Sequence, residues 1–252
     1  MTVVGVVHPG EMGAAVAGAL REHSVLWASA GRSAATAERA RAAELEDAGD
    51  VGELCRRCEI LLSICPPHAA ADLARAASGF TGIYVDANAI APDTARAIAK
   101  LQPRLVDGGI VGPPPTRPGT TRLYLSGAEA EQIAALFAGT NVDARVVSTE
   151  PGAASALKMA YAGWTKGSAA LLLTVRELAR AEGVEDALLE EWRLSIPELE
   201  EHLPGAERSA GRKGWRWIGE MEEIAHSMAA QNLPAGFHEA AAEVFRRTAE
   251  ES

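Results

Sequence analysis

Short apolar runs alternate with helix-like stretches through the first 150 residues of the chain. In order, the strand-like runs are TVVGVV, SVLWA, EILLSIC, GIYVDAN, RLVDGGIV, TRLYLSG and ARVVS. Strands that alternate with helices are typical of βαβ units and a mainly parallel sheet. The runs are almost continuously apolar, as expected of strands covered on both faces. We therefore predict an α/β fold of the Rossmann type, with a mainly parallel sheet, for residues 1–150.

A different pattern begins at about residue 150, after which no strand-like run occurs. Residues 153–182 form a long stretch, rich in Ala and Leu and free of proline, and Gly183 is placed to end a helix. Three further helices are predicted, at residues 186–203, 211–230 and 237–250, and prolines at 197, 204 and 234 punctuate them. The chain is thus predicted to hold an α/β domain at residues 1–150 and an all-helical domain at residues 151–252.

The composition argues against several classes of partner. A net charge of −10 disfavours nucleic acid and anionic membrane surfaces, which both require clustered Lys and Arg. No apolar run approaches the ~20 residues that span a bilayer. Cys55 and Cys58 form a C-x-x-C pair, and Cys65 follows, but no second ligand pair accompanies them. We therefore predict no metal site, free thiols and a reducing, cytoplasmic location.

The stretch GVVHPGEMG, residues 5–13, lies between the first strand and the first helix. It nearly matches the dinucleotide fingerprint G-x-G-x-x-G, with Gly10 and Gly13 at the second and third glycine positions and His8 at the first. Pro9 fixes φ and offers another way to make the tight turn. The residues predicted to contact the dinucleotide here are His8, Pro9, Gly10, Glu11 and Met12. The alternative is a simple strand–helix turn.

The end of the second strand predicts which dinucleotide binds. Sites that prefer NAD place Asp or Glu there to bind the ribose hydroxyls, whereas this chain has SAGRS, residues 29–33. Arg32 can pair with a 2′-phosphate, and Ser29 and Ser33 can add hydrogen bonds. The sequence therefore favours NADPH over NADH. The alternative is that Arg32 is a solvated residue at the start of a helix.

Several motifs together resemble the β-hydroxyacid dehydrogenase superfamily, which includes 3-hydroxyisobutyrate and 6-phosphogluconate dehydrogenases. They are GVVHPGEMG, the double proline in CPP, VDANAIAPDTA, DGGIVGPP and GAASALKMAYAG. The last segment also resembles domains of the "domain of unknown function 1932" type. The resemblance implies a Rossmann domain, a long interdomain helix, a helical C-terminal domain and a homodimer. It also implies that Cys65, Pro66 and Asn88 lie at the dinucleotide; an Asx turn is the alternative for Asn88.

The resemblance places a catalytic lysine at Lys158, in the pattern G-x-x-x-x-x-K that begins at Gly152. Such a lysine would exchange a proton with the reacting oxygen during hydride transfer. Many relatives carry Asn one turn later, where this chain has Tyr161 and Ala162. Tyr161 is therefore either a second proton donor or a core residue. Lys166, two turns after Lys158, is interpreted as an exposed charge, with a further cation near the cleft as the alternative.

The predicted substrate site departs further from the family. Val111 stands where relatives have a serine, Gly112 is kept, and Pro113 replaces the next glycine. Because valine donates no hydrogen bond, a bulkier or less polar carbonyl compound is favoured over an ordinary 3-hydroxy acid. Trp217 is predicted to wall the substrate cleft, with a core position as the alternative. The predicted function is an NADPH-dependent oxidoreductase acting on a small molecule; the rivals are an imine reductase and an inactive dinucleotide-binding protein.

Overall fold

The computed structural model describes residues 1–250. It divides the chain into two compact units, Met1–Lys158 and Met159–Ser252. The division falls within one long helix, whereas the sequence predicts a domain boundary at residue 150, before that helix begins.

One sheet of eight strands forms the centre of the first unit. The strands are β1 Val3–Val6, β2 Ser24–Ala28, β3 Glu46–Gly49, β4 Ile60–Ser63, β5 Ile83–Asp86, β6 Leu105–Val111, β7 Thr121–Ser126 and β8 Val142–Ser148. Their order is β3-β2-β1-β4-β5-β6-β7-β8, and only the β6–β7 pair is antiparallel. The predicted mainly parallel sheet is confirmed.

Helices cover both faces of this sheet. They are α1 Glu11–Gly18, α2 Ala34–Ala42, α3 Val51–Arg57, α4 Ala70–Ala76, α5 Pro92–Leu101 and α6 Ala130–Leu136, with a short 3₁₀ helix at Pro67–Ala69. One apolar core contains Val16 of α1 and Ile133 of α6, and the other contains Leu54 of α3 and Ile98 of α5. The inner strands β4, β5 and β6 are buried along their whole length, which explains their largely apolar sequences.

β3 is absent from the sequence prediction. Its sequence, Glu46-Asp47-Ala48-Gly49, is mostly polar, and only Ala48 is buried. The strand lies at the edge of the sheet and pairs with β2 alone. Edge strands are commonly short and charged, which protects the sheet edge from further pairing and hides the strand from an apolar pattern search.

The second unit is helical, as predicted. Its helices are the remainder of α7 Ala153–Ala181, α8 Glu185–Ser195, α9 Glu198–Ala230 and α10 Gly236–Glu250. The prediction that Pro204 interrupts a helix is wrong, because Pro204 lies within the second turn of α9. A proline there removes one backbone hydrogen bond, and the burial of Leu203 and Ala210 holds the helix against its neighbours.

Candidate active site

The strand order places a crevice between β1 and β4. In doubly wound sheets a ligand binds where the order reverses, outside the carboxyl ends of the strands. Here β1 leads into the turn His8–Gly13, and β4 leads into Cys65 and Pro66. The sheet therefore brings together the two segments that the sequence predicts to contact a dinucleotide.

The two glycines of the turn, Gly10 and Gly13, are needed for different reasons. A Cβ on Gly13 would lie 2.5 Å from the carbonyl oxygen of His8, so only glycine lets α1 start this close to the end of β1. A Cβ on Gly10 would meet nothing closer than His8 Cδ2 at 3.7 Å. The protein's own packing thus does not require Gly10. It leaves the backbone at the start of α1 open to a ligand, as a pyrophosphate requires.

The predicted ribose-binding residues follow β2. Ser33 caps α2 by accepting a hydrogen bond from the Thr36 N–H at 3.3 Å, and the Ser29 hydroxyl donates to the Gly49 carbonyl at 3.4 Å. Arg32 is half-buried, and its buried Nε has no hydrogen-bond partner in the described structure. An arginine in this state is available to an anion at the end of β2.

Sequence reasoning missed a second arginine at this end of the sheet. The Arg39 side chain reaches back from α2, donating from Nε to the Pro9 carbonyl at 3.4 Å and from a terminal N–H to Thr36 Oγ1 at 3.1 Å. Burial, and then the charges of Arg32 and Arg39, lower the pKa of His8 below its usual value. The only sequence signal for Arg39 is its place two turns after Arg32, which is weak for an Arg-rich helix.

Asn88 joins the ends of β4 and β5. Its Oδ1 accepts from the Cys65 N–H at 2.5 Å, and its Nδ2 donates to Ser63 Oγ at 2.9 Å. Its own N–H donates to Asp86 Oδ1 at 3.1 Å, so the Asx turn belongs to Asp86. Asn88 is 3% exposed, and its bonds to Ser63, Cys65 and Asp86 hold the ends of β4 and β5 together. Burial, followed by the charge of Asp107, raises the pKa of Asp86 to about 7.

A buried carboxylate fixes the beginning of α7. Asp107 in β6 is fully buried, and its Oδ2 accepts hydrogen bonds from the N–H groups of Gly152 at 3.0 Å and Ser155 at 2.9 Å. The Ser155 hydroxyl donates to Oδ1 at 2.5 Å. Ser126 of β7 donates to Oδ2 and accepts from the Ala154 N–H, both at 3.0 Å. These bonds satisfy N–H groups that a helix start leaves without partners.

This cap determines where Lys158 lies. A Cβ on Gly109 would be 2.9 Å from both the Ala154 carbonyl oxygen and Lys158 Cβ, so glycine lets α7 pack directly on β6. Lys158 Nζ then donates to the Ile110 carbonyl at 2.8 Å. Among the side chains that the structure describes, no carboxylate forms an ion pair with Lys158. The ammonium group therefore keeps two N–H donors at the carboxyl end of β6.

The predicted substrate residues of the first unit follow Ile110. Val111 ends β6 and is 2% exposed, while Gly112 and Pro113 are exposed. Gly112 has φ +117°, and a Cβ there would lie 2.1 Å from the Thr120 carbonyl oxygen. The Thr121 hydroxyl donates to the Pro113 carbonyl at 2.6 Å, which closes the proline-rich loop onto β7.

Tyr161 and Trp217 belong to the second unit. Tyr161 is 47% exposed on α7. Trp217 of α9 packs edge-on against Phe245 with 5.0 Å between ring centroids, and Lys166 Nζ lies 5.4 Å from the centre of its ring. The interpretation of Lys166 as an exposed charge is wrong, because its side chain is 15% exposed and forms an ion pair with Glu220.

Within residues 1–250, no group of three or more His, Cys, Asp or Glu side chains is arranged to hold a metal ion. The same part of the chain contains no helix with the length and apolarity needed to cross a membrane. The three cysteines are free, and burial raises the pKa of Cys58 and of Cys65 to about 12.

Known proteins share both the fold and parts of the sequence. Residues 179–248 match the family model described as Domain of unknown function (DUF1932). An uncharacterized 28.5 kDa protein in the 7S RNA 5′ region of Methanothermus fervidus is 31% identical over 163 residues. That match covers 64% of this chain and 63% of the relative, so it spans less than two thirds of the relative's length.

Two solved structures cover nearly all of the chain. One is a conserved protein of unknown function described as structurally similar to 3-hydroxyacid dehydrogenases. It is 28% identical to this chain, and the match covers 98% of this chain and 97% of the other, with a TM-score of 0.75. The other, a 3-hydroxyisobutyrate dehydrogenase from Mycobacterium tuberculosis, is 15% identical and supports the fold alone, with 100% and 94% coverage and a TM-score of 0.76.

The fold and the strand-end site thus define a Rossmann-type protein with the architecture of the 3-hydroxyacid dehydrogenases. The predicted resemblance to the β-hydroxyacid dehydrogenase superfamily, with a C-terminal domain of the unknown-function 1932 type, is confirmed.

Proposed function

We propose that the protein is an NADPH-dependent oxidoreductase that interconverts a carbonyl compound and its alcohol. The observation that carries this proposal is the reversal of strand order between β1 and β4, where the open Gly10 turn meets the Cys65–Pro66 segment. The unpartnered Nε of Arg32 supports a coenzyme with a 2′-phosphate. The solved structure at 28% identity, described as similar to 3-hydroxyacid dehydrogenases, supports the class of reaction.

Lys158 is the proposed general acid and base. When bound, the coenzyme would supply or accept the hydride. As the carbonyl oxygen of the substrate gains electrons, Lys158 Nζ donates a proton to it, and in the reverse direction Nζ takes that proton back. The Ile110 carbonyl holds one N–H of the ammonium at 2.8 Å and so directs the others away from β6. Tyr161 remains a proposed second donor, and Trp217 a proposed substrate contact.

The substrate is proposed to be a small carbonyl compound less polar than a 3-hydroxy acid. Val111 at the end of β6 is buried and supplies no hydrogen-bond donor where the family has a hydroxyl group, and the exposed Gly112 and Pro113 offer only backbone groups. Binding of substrate polar groups would then depend on Lys158 and on the exposed backbone of this loop.

Replacing Arg32 by alanine should weaken NADPH binding by about 10- to 100-fold, because a charge-assisted pair with the 2′-phosphate contributes about 1.5–3 kcal/mol. NADH, which lacks that phosphate, should bind the variant and the wild type alike. Energy transfer from tryptophan to the nicotinamide measures both affinities, with Trp27 in β2 as a donor in the same unit. Arg41→Ala is the matched control, because Arg41 lies on α2, is 70% exposed and pairs with Glu38. Equal loss of NADH and NADPH affinity in Arg32→Ala would contradict the assignment.

We also propose that the protein is a homodimer that uses the exposed side of α7. Trp164, Leu171 and Leu178 are 77%, 64% and 62% exposed and recur every seven residues, so they form one apolar stripe on the helix. A contiguous exposed apolar surface commonly marks a protein interface. Light scattering at micromolar concentration should give twice the 26.4 kDa chain mass. Leu171→Glu with Leu178→Glu should give monomers, whereas Leu194→Glu, at a position 74% exposed on α8, should not. A monomeric wild type would refute the dimer.

A further inference from the structure

His8 stands where the fingerprint has its first glycine, and its ring lies among cationic groups. Arg32, from the β2–α2 connection, and Arg39, from α2, are the charges that act on it. His8 Nδ1 and Arg32 Nε are both buried and without a hydrogen-bond partner in the described structure. Arg39 Nε also donates to the carbonyl of Pro9, the residue after His8, at 3.4 Å. Three groups able to carry positive charge therefore lie near the open turn at Gly10.

No ion pair joins Arg32 or Arg39 to any carboxylate whose side chain the structure describes. Other arginines of this acidic chain behave differently: Arg41, half a turn beyond Arg39 on α2, pairs with Glu38 at 2.7 Å. Keeping two half-buried guanidinium groups together without a counter-ion is unfavourable unless an anion joins them. The three residues His8, Arg32 and Arg39 are called the basic cluster below.

The charged groups around His8 are few. Arg32 and Arg39 face it from the β2–α2 connection and from α2. Glu11, at the start of α1, is exposed. At the end of β4, Cys65 lies within electrostatic range of Arg32, but burial raises the pKa of its thiol to about 12, so it stays uncharged near neutral pH. Arg32 and Arg39 are therefore the charged groups that lower the pKa of the His8 ring.

We propose that His8 takes up a proton from solvent when the 2′-phosphate of the coenzyme binds between Arg32 and Arg39, so that the bound phosphate meets three cations rather than two. This inference rests on the proposed function and adds a pH-dependent residue to its coenzyme site.

The direction of the effect follows from the charges. In the free protein, burial and the two arginines disfavour the imidazolium, so the ring is neutral at pH 7. A phosphomonoester brings about −1.5 to −2 charges, which offsets both arginines and offers an acceptor to Nδ1. The pKa of His8 then rises on binding. At pH values between the pKa of His8 in the free protein and its pKa in the NADPH complex, the affinity for NADPH should rise as the pH falls, by at most about tenfold per pH unit.

Calorimetric titration tests this directly. NADPH and NADH are each titrated at pH 7 into the wild type and into His8→Gly, in two buffers with different ionisation enthalpies; the difference between buffers gives the number of protons taken up. His8→Gly restores the residue that the fingerprint usually has and should still bind the dinucleotide. The wild type should take up more protons with NADPH than with NADH, by at most about one, and His8→Gly should lose that difference. His8→Asn serves in its place if His8→Gly does not fold.

The outcomes separate this inference from the function it rests on. Binding of both nucleotides with the same proton uptake in the wild type and in His8→Gly would overturn the role of His8 and leave the coenzyme site intact. If neither nucleotide binds the wild type, both proposals fail. A smaller difference in proton uptake in Arg39→Ala than in the wild type would place Arg39 in the same site, and an unchanged difference would remove it from the cluster.

Discussion

Lys158→Met should lower the turnover of a carbonyl substrate by about 10²–10⁴-fold, the usual contribution of a positioned general acid. Methionine keeps most of the length of the side chain and fills its place on α7, but it cannot donate a proton. NADPH affinity, measured by tryptophan energy transfer, should stay within about twofold, because the proposed dinucleotide site lies at the ends of β1, β2 and β4. Lys100→Met, an exposed position in the last turn of α5, is the control and should leave turnover unchanged.

A panel of substrates distinguishes the three candidate functions in this experiment. Aldehyde and keto acids, apolar ketones and a cyclic imine are each tested with wild type and Lys158→Met. Loss of carbonyl reduction in the variant supports Lys158 as the proton donor. Imine reduction that survives in the variant would favour the imine reductase reading, in which the lysine is not needed. Tight NADPH binding by the wild type with no turnover of any compound would favour the inactive, dinucleotide-binding protein.

The first-unit fold was predictable because buried parallel strands are apolar over their whole length. TVVGVV and EILLSIC show this pattern and form β1 and β4. β3 could not be predicted from an apolar pattern, because an edge strand buries few side chains and so tolerates Glu46, Asp47 and Gly49. The full length of α9 could not be predicted for a related reason. Locally, Pro204 is typical of a helix end, and only the packing of the rest of the helix keeps residues on both sides of it helical.

In the candidate site, too, features set by local sequence could be predicted, whereas features set by long-range packing could not. The fingerprint around Gly10 and Gly13 is local in sequence, so its turn could be predicted. Arg39 and Asp107 act on residues distant in the chain, reaching Pro9 and Ser155 respectively. Their partners are set by the sheet order and by the packing of α7, and neither residue lies in a pattern that names its partner. The roles of two residues in the DGG sequence are therefore explained only by the structure: Asp107 caps α7, and Gly109 lets α7 pack directly on β6.

Asp107→Ala should lower the free energy of unfolding by about 3–5 kcal/mol, the usual cost of breaking a buried charged network. The change leaves the N–H groups of Gly152 and Ser155 and the hydroxyl of Ser126 without their acceptor inside the protein. Urea unfolding followed by circular dichroism measures the loss. Asp93→Ala is the control: Asp93 lies in the first turn of α5 and pairs with Arg96 at an exposed site, where the expected cost is at most about 1 kcal/mol.

A milder variant separates the cap's two consequences, stability and the placement of Lys158. Ser126→Ala removes the acceptor of the Ala154 N–H but keeps the Asp107 carboxylate, so the expected loss is about 1–2 kcal/mol and the protein should remain folded. Because Lys158 lies one turn beyond Ala154 on α7, a small shift of the helix start would move Nζ relative to the end of β6. Turnover should then fall more than NADPH affinity does. If Asp107→Ala lowers the free energy of unfolding no more than Asp93→Ala does, the proposed cap is refuted. Full turnover in Ser126→Ala would show that the packing of α7 on Gly109 is sufficient to position Lys158.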